Sequence, residues 1–228
     1  MSLYSVVVPV YNSENTLEEL YARLKDVFEN TMQEEFELIL VDDGSRDNSY
    51  VVMEKLHRKD NRVKIIQMAK NFGQHPALLC GFSFAKGDFI ITMDDDLQHR
   101  PEEIPKMAAA IKGHDDVDVI IAKYENRKHN FIRRLGTRIS VYATSKMLNK
   151  DPNLEITSFR LMRRFIVEAI LNTNTHLPQI GNLLVQSSNR IINVPVHHDP
   201  RKVGKSNYTF RRLAKDLIYD ITSNSAIP

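Results

Sequence analysis

Five short apolar runs rich in β-branched residues punctuate the first 122 positions: Tyr4–Val10, Phe36–Val41, Val63–Gln67, Phe89–Met93 and Val117–Ala122. Between them, apolar positions recur every three or four residues. Leu17, Leu20, Leu24, Val27 and Phe28 predict a helix starting near Asn15, and Val51, Val52 and Leu56 a second after Ser45 and Asp47. Ala77–Ala85 predicts a third, and Pro101 opens a fourth through Ile104 to Ile111. Strands alternating with helices of this length predict an α/β fold with a mostly parallel sheet. Ligands of such sheets bind beyond the carboxyl ends of the strands. The places to look for chemistry are therefore the residues after Val10, Val41, Gln67 and Met93.

After residue 123 the alternation stops. A basic amphipathic segment, Asn130–Leu148, can set Phe131, Ile132, Leu135, Ile139, Tyr142 and Met147 on one face, with Arg134 and Arg138 four apart on another. Ile156–Met162 and Ile191–Val196 read as strands, Phe165–Leu171 as a helix and Lys202–Asn207 as a loop. Thr209 caps a last predicted helix, to Asn224, with Phe210, Leu213, Ala214, Leu217, Ile218 and Ile221 in one stripe.

The 228 residues suffice for one domain with a full core. The single cysteine, Cys80, excludes an internal disulfide and a cysteine zinc site. No apolar run reaches the ~18 residues needed to span a membrane. Charge is divided unevenly. Residues 1–122 hold 13 Lys and Arg against 22 Asp and Glu, a net of −9, whereas residues 123–228 hold 18 against 7, a net of +11. The division predicts a half that handles cations and a half that handles anions.

Three motifs stand at the predicted strand ends. Pro9-Val10-Tyr11-Asn12-Ser13-Glu14 sets a proline, an aromatic ring and a carboxylate where a flat hydrogen-bonding ligand could lie, although a turn entering a helix accounts for it equally well. In Val41-Asp42-Asp43-Gly44-Ser45-Arg46-Asp47, helix capping explains Gly44 and Ser45 but not two adjacent acids at the mouth of the sheet. Such a carboxylate can accept from a base N–H or from ribose hydroxyls. In Asp94-Asp95-Asp96-Leu97-Gln98-His99, three consecutive acids repel one another unless a cation joins them. Hard oxygen donors suit Mg²⁺ or Mn²⁺. In extended backbone Asp94, Asp96 and Gln98 share a side and Asp95 faces the other, so the first three are the expected metal ligands.

Together and in this order, PVYNSE, VDDGSRDNS and DDDLQH resemble the two nucleotide segments and the metal motif of glycosyltransferase family 2, whose fold is GT-A. The D-x-D-L-Q-H form is similar to the polyprenyl-phosphate glycosyltransferases of that family, such as dolichyl-phosphate mannose synthases and undecaprenyl-phosphate sugar transferases. Asn126–Ser140 resembles their acceptor-phosphate segment, and Thr157–Leu161 and Arg201–Tyr208 resemble later family motifs.

The resemblance implies a GT-A domain spanning 1–228, with a nucleotide-sugar and metal half (1–122) and an acceptor and membrane-proximal half (123–228). It implies inverting, metal-dependent transfer of a sugar from a nucleotide-diphosphate sugar, UDP preferred, to a polyprenyl phosphate. Pro9, Tyr11, Glu14, Asp42, Asp43, Asp95 and Arg201 would serve the nucleotide. Arg127, Arg133, Arg134, Arg138 and Ser140 would serve the acceptor, and Asp94, Asp96, Arg134 and Arg138 the catalysis. Two positions depart from the family pattern: Ser158 stands where many relatives have an Asp regarded as catalytic, and Asn207 where many have Lys, with Lys205 nearby. The first is tolerable on physical grounds. A phosphate monoester has a second pKa near ~6, so the acceptor is already ionised at pH 7 and needs no base.

A saccharide hydroxyl acceptor would need a base, and Asp95 is the candidate for that alternative. A nucleic-acid module is disfavoured, because the arginines lack interleaved aromatics and no RNP-like run occurs. A lipid acceptor places the enzyme at the cytoplasmic face of a membrane, with the basic helices against anionic headgroups. The ending Ser225-Ala226-Ile227-Pro228 resembles the point before the transmembrane helices of relatives, so the given segment is expected to be soluble and its parent anchored. Homo-oligomerisation is left open.

Overall fold

The computed structural model describes residues 1–125, 151, 153–173, 175 and 178–199. Its strands are β1 (Leu3–Val10), β2 (Glu35–Asp42), β3 (Val63–Gln67), β4 (Phe89–Thr92), β5 (Val119–Tyr124), β6 (Arg160–Arg163) and β7 (Ile191–Val196). They form one sheet in the order β3-β2-β1-β4-β6-β5-β7. Among these strands only β6 runs antiparallel, to β4 and β5; every other pairing is parallel. This is the mostly parallel α/β sheet that the alternation predicts, and it takes strands from both sides of residue 122.

Both faces of the sheet are covered. α1 (Leu17–Asp26), α2 (Ser49–Lys59) and α4 (Ile104–Lys112) lie over one face, where Leu20, Leu24, Met53, Ile104 and Met107 pack against Val6, Val8 and Leu38. α3 (Gln74–Phe84), α5 (Arg164–Leu171) and α6 (Ile180–Ser187) lie over the other, where Leu78, Phe82, Ile166 and Leu184 pack against Val7, Ile39 and Ile90. Burial on two sides explains why β1 reads as a near-continuous apolar run, interrupted by Ser5, whose hydroxyl donates to Glu37. Each large side chain so buried contributes about 1.5–3 kcal/mol. α3 packs tightly on the sheet at Gly81, where a Cβ would lie 2.4 Å from Val7 Cγ1 and 3.1 Å from Val41 Cγ2.

Some boundaries differ from those expected. α1 passes into a π-helical turn, Val27–Met32, which ends at Gln33 with φ 53°. α3 begins at Gln74 rather than Ala77, because Gly73 at φ 97° turns the chain and Pro76 is tolerated in a first turn, where an N–H has no helical partner. β5 starts at Val119, two residues late, because Asp118 is drawn out to Arg190 at 2.6 Å. β6 is shorter than Ile156–Met162. β4 stops at Thr92, and there the Thr92 hydroxyl, rather than a backbone amide, donates to Ser158 O at 2.7 Å. α6 has no counterpart among the sequence expectations. The segments Asn130–Leu148, Lys202–Asn207 and Thr209–Asn224 lie outside the described residues. Among the described residues no helix is long and apolar enough to cross a membrane.

Candidate active site at the strand ends

The loops that follow β1, β2, β3 and β4 are hydrogen-bonded to one another in series. After β1, Asn12 takes a left-handed conformation (φ 55°) that exposes its amide and side chain to the β2 loop. Its N–H donates to Ser45 Oγ at 3.0 Å, and its Oδ1 accepts from Arg46 N at 2.8 Å. Ser13 N donates to Ser49 Oγ, Glu14 N to Asp47 Oδ2, and Asn48 donates twice to Glu14 Oε2. PVYNSE and VDDGSRDNS are thus one structural unit. Gly44, at φ 72°, turns the chain within the second of these segments, and a Cβ there would sit 2.8 Å from Asn71 N of the loop after β3.

Asp42 and Asp43 are both buried, with 1% and 4% of their surface exposed, and both are satisfied by backbone. Asp42 accepts from Ser45 N at 3.1 Å. Asp43 accepts from Phe72 N at 2.7 Å and Gly73 N at 2.8 Å, so it fixes the loop after β3. That loop in turn presents Gln74, whose Nε2 donates to Asp94 Oδ1 at 2.7 Å.

Asp94 and Asp95 turn to different neighbours, although the run is not extended to Gln98, because the left-handed Leu97 (φ 61°) interrupts it. Asp94 turns toward α3 and β6, where its second oxygen accepts from Ser158 Oγ at 2.8 Å. Asp95 turns toward β1 and accepts from Tyr11 N at 3.1 Å and Ser13 Oγ at 2.5 Å. Burial pushes Asp95 up to about 7; the bonds from Ser13 and Tyr11 pull it down, and the charges of Asp94 and Asp96 push it up again. Asp96 accepts from Gln98 N at 3.1 Å across Leu97, which is buried and left-handed (φ 61°).

His99 underpins this loop. Its Nδ1 accepts the Asp94 amide at 3.0 Å, so the ring carries its proton on Nε2, facing the Tyr124 hydroxyl at 2.6 Å. The ring is 3% exposed and stacks on Phe159, with centroids 5.1 Å apart. A β-bridge joins His99 to His198, Asp199 N donates to Gln98 O, and Gln98 Nε2 reaches Asp199 O at 3.4 Å. The segment entering Arg201 is therefore anchored beside the acidic run up to Asp199. One layer beneath Asp94, Arg160 pairs in register with Thr92 and is 4% exposed. Burial pulls its guanidinium down to about 10 against the opposing pull of Asp94.

Of the expected site residues, Tyr11, Glu14, Asp42, Asp43, Asp94, Asp95, Asp96 and Gln98 meet at this one end of the sheet, and Pro9 sits in β1 opposite Val41. Arg127, Arg133, Arg134, Arg138, Ser140, Arg201, Lys205 and Asn207 lie outside the described residues. Ser13, Gln74, His99 and Arg160 had no assigned role in the sequence. Ser158 was marked only as a departure.

Among the described residues no three His, Cys, Asp or Glu side chains gather as a metal-holding group. The oxygens of Asp94, Asp96 and Gln98 nevertheless suit a hard cation that keeps places open for phosphate oxygens. Among the described residues, the seven carboxylates of the strand-end loops, Glu14, Asp42, Asp43, Asp47, Asp94, Asp95 and Asp96, each accept a protein N–H or O–H.

The family model for glycosyl transferase family 2 matches residues 5–171. Among solved structures, glucosyl-3-phosphoglycerate synthase from Mycobacterium tuberculosis, in complex with Mn²⁺, UDP-glucose and phosphoglyceric acid, superposes with a TM-score of 0.74 at 16% identity, over 100% of this chain and 81% of that one. The same enzyme with Mg²⁺ and UDP gives 0.72 at 16%, over 100% and 80%. A further mycobacterial protein gives 0.72 at 19%, over 100% and 76%. At these identities the likeness establishes the fold.

Proposed function

On the premise that the chain belongs to glycosyltransferase family 2, we propose that it transfers a sugar from a nucleotide-diphosphate sugar, preferably UDP-linked, to a polyprenyl phosphate at a membrane surface, with inversion. The observation that carries the acceptor class is Ser158, a hydroxyl that donates to Asp94 Oδ2 at the position where many relatives hold an Asp. A hydroxyl acceptor needs a base with a lone pair aimed at it. Here that position is a serine, whose hydroxyl is itself a donor to Asp94. An acceptor that arrives ionised fits such a site, and a phosphate monoester does so at pH 7.

In this reading the loops after β1 and β2 seat the base and ribose, with Pro9, Tyr11, Glu14, Asp42 and Asp43 forming or fixing the walls and Asp95 locking the β1 loop to the acidic run. Asp94, Asp96 and Gln98 would hold Mg²⁺ or Mn²⁺, which when bound offsets the diphosphate charge and stabilises the departing nucleotide. Gln74 and Ser158 hold Asp94 in one orientation, so little rearrangement is left for substrate binding. Arg201, two positions past the anchored Asp199, is suited to the diphosphate. Arg127, Arg133, Arg134 and Arg138, with Ser140, would receive the acceptor phosphate and offset its repulsion by the donor. The lipid nature of the acceptor rests on the D-x-D-L-Q-H form and the basic segment.

The test is transfer of labelled sugar from UDP-, GDP- and dTDP-sugars to a short polyprenyl phosphate in detergent, with Mn²⁺ or EDTA. Metal-dependent labelling of the lipid supports the reading, and labelling only of phosphoglycerate or of a saccharide overturns the acceptor. The hydroxyl-acceptor alternative has one observation in its favour, the displacement of Asp95 to about 7, where a base works best. Asp95→Asn separates the two: it abolishes transfer if Asp95 is the base and spares most of it if Asp95 is a lock.

A further inference from the structure

Arg160 presents a physical problem that the acidic run does not solve. Its side chain is 4% exposed, yet Nε and Nη1 have no hydrogen-bond partner. Asp94, which accepts from Gln74 and Ser158, makes no hydrogen bond to it and acts on it only through its charge. A buried guanidinium without an acceptor is among the costliest groups a fold can retain, and it is retained where something else supplies the acceptor.

The guanidinium reaches toward the start of α6. Its Nη2 lies 3.9 Å from where a Cβ on Gly181, the second residue of that helix, would stand. The first intrahelical bonds of α6 come from Asn182 N and Leu183 N, both to Gln179 O, so the amides before them point out of the helix end. Asn182 Nδ2 is a further buried donor without a partner. Arg160 thus stands beside the first turn of α6, with the Ile156 methyl group nearer still, 2.7 Å from the same Cβ position, and neither Arg160 Nε and Nη1 nor Asn182 Nδ2 has an acceptor. Helix N-termini favour anions for the same reason.

We propose that Arg160 and the first turn of α6 form an anion subsite, one layer below Asp94, that takes a phosphate monoester. A fork of guanidinium N–H groups and a helix end match the several oxygens of a tetrahedral dianion. The subsite deepens the phosphate-acceptor reading above and rests on it for the identity of the ester, but its binding test is independent of transfer.

The test titrates inorganic phosphate into the protein in EDTA, which removes any metal-bridged binding to the acidic run, and reads thermal shift and the arginine side-chain Nε–H resonances by NMR. Wild type should gain melting temperature and move one buried Nε–H resonance. Arg160→Lys should weaken phosphate binding by about tenfold or more, because charge remains but the fork is lost. Arg160→Gln should abolish the gain. If Arg160→Gln does not fold, the wild-type resonance together with Arg160→Lys decides the matter. Displacement of phosphate by a short prenyl phosphate assigns the subsite to the acceptor. No gain in wild type, an equal gain in Arg160→Gln, or displacement by UDP but not by the prenyl ester overturns the proposal. Phosphate binding without any sugar transfer would sustain the subsite and count against the acceptor reading alone.

Discussion

Ser158 Oγ donates to Asp94 Oδ2 at 2.8 Å, across 64 positions of sequence. With Gln74 on the other oxygen, this bond aims the first acid of the metal motif from two sides. Ser158→Ala should leave the fold intact and lower kcat roughly tenfold, the scale of one hydrogen bond to a charged group. Ser158→Asp should behave differently. Two carboxylates at that separation cannot both ionise without a cation. Its melting temperature in EDTA should fall, and Mn²⁺ should recover more of it than in wild type. Equal Mn²⁺ gains in the two proteins would show that Ser158 does not face the ion.

Asp96 bonds the backbone of its own loop through an oxygen that asparagine keeps, so Asp96→Asn should change stability in EDTA by no more than about 0.5 kcal/mol. Its effect should appear on ligand. At a hundredfold excess over Kd, Mn²⁺ with a nucleotide sugar should raise the wild-type melting temperature by about 5–10 °C, and should leave the variant unmoved. A retained shift removes Asp96 from the metal ligands.

Asp95 carries a pH signature. Its carboxyl is pushed up to about 7 in the fold, above the ordinary carboxylate value, so the folded state favours its protonated form. The contribution is complete below the ordinary value and is lost as pH rises through about 7. In EDTA, wild type should lose melting temperature relative to Asp95→Asn between pH 5 and pH 8. Parallel curves for the two proteins would contradict the buried setting of Asp95.

Gly81 sets two effects against each other. Alanine would add up to ~1 kcal/mol of helix propensity, whereas overpacking costs about 1–3 kcal/mol. With Val7 Cγ1 only 2.4 Å from the new Cβ, packing should win. Gly81→Ala should lower the urea midpoint, and adding Val7→Ala should restore part of it. A midpoint raised by Gly81→Ala alone would mean that α3 can lift from the sheet.

The strands and every described α-helix except α6 were legible because apolar spacing defines them. The parity of Asp94 and Asp95 was legible for the same reason. α6 left a signal that went unused: Pro178 followed by Ile180, Leu183 and Leu184 at helical spacing, all three now buried. Gln74 and Arg160 left none. A glutamine 20 positions before the acid it meets, and an arginine read as part of a strand, acquire meaning only when β4 and β6 lie side by side.

The bridge between His99 and His198 puts a clock on the active site. A nascent chain that has reached Leu171 already carries the acidic run and six of the seven described strands, but not the residue that pairs with His99. Roughly a hundred further residues separate the two histidines, about 5–20 s of synthesis at about 5–20 residues per second. During that interval three adjacent acids leave the ribosome without the closing contact of their loop. The loop that carries the acidic run gains this contact only after the last described strand has been made.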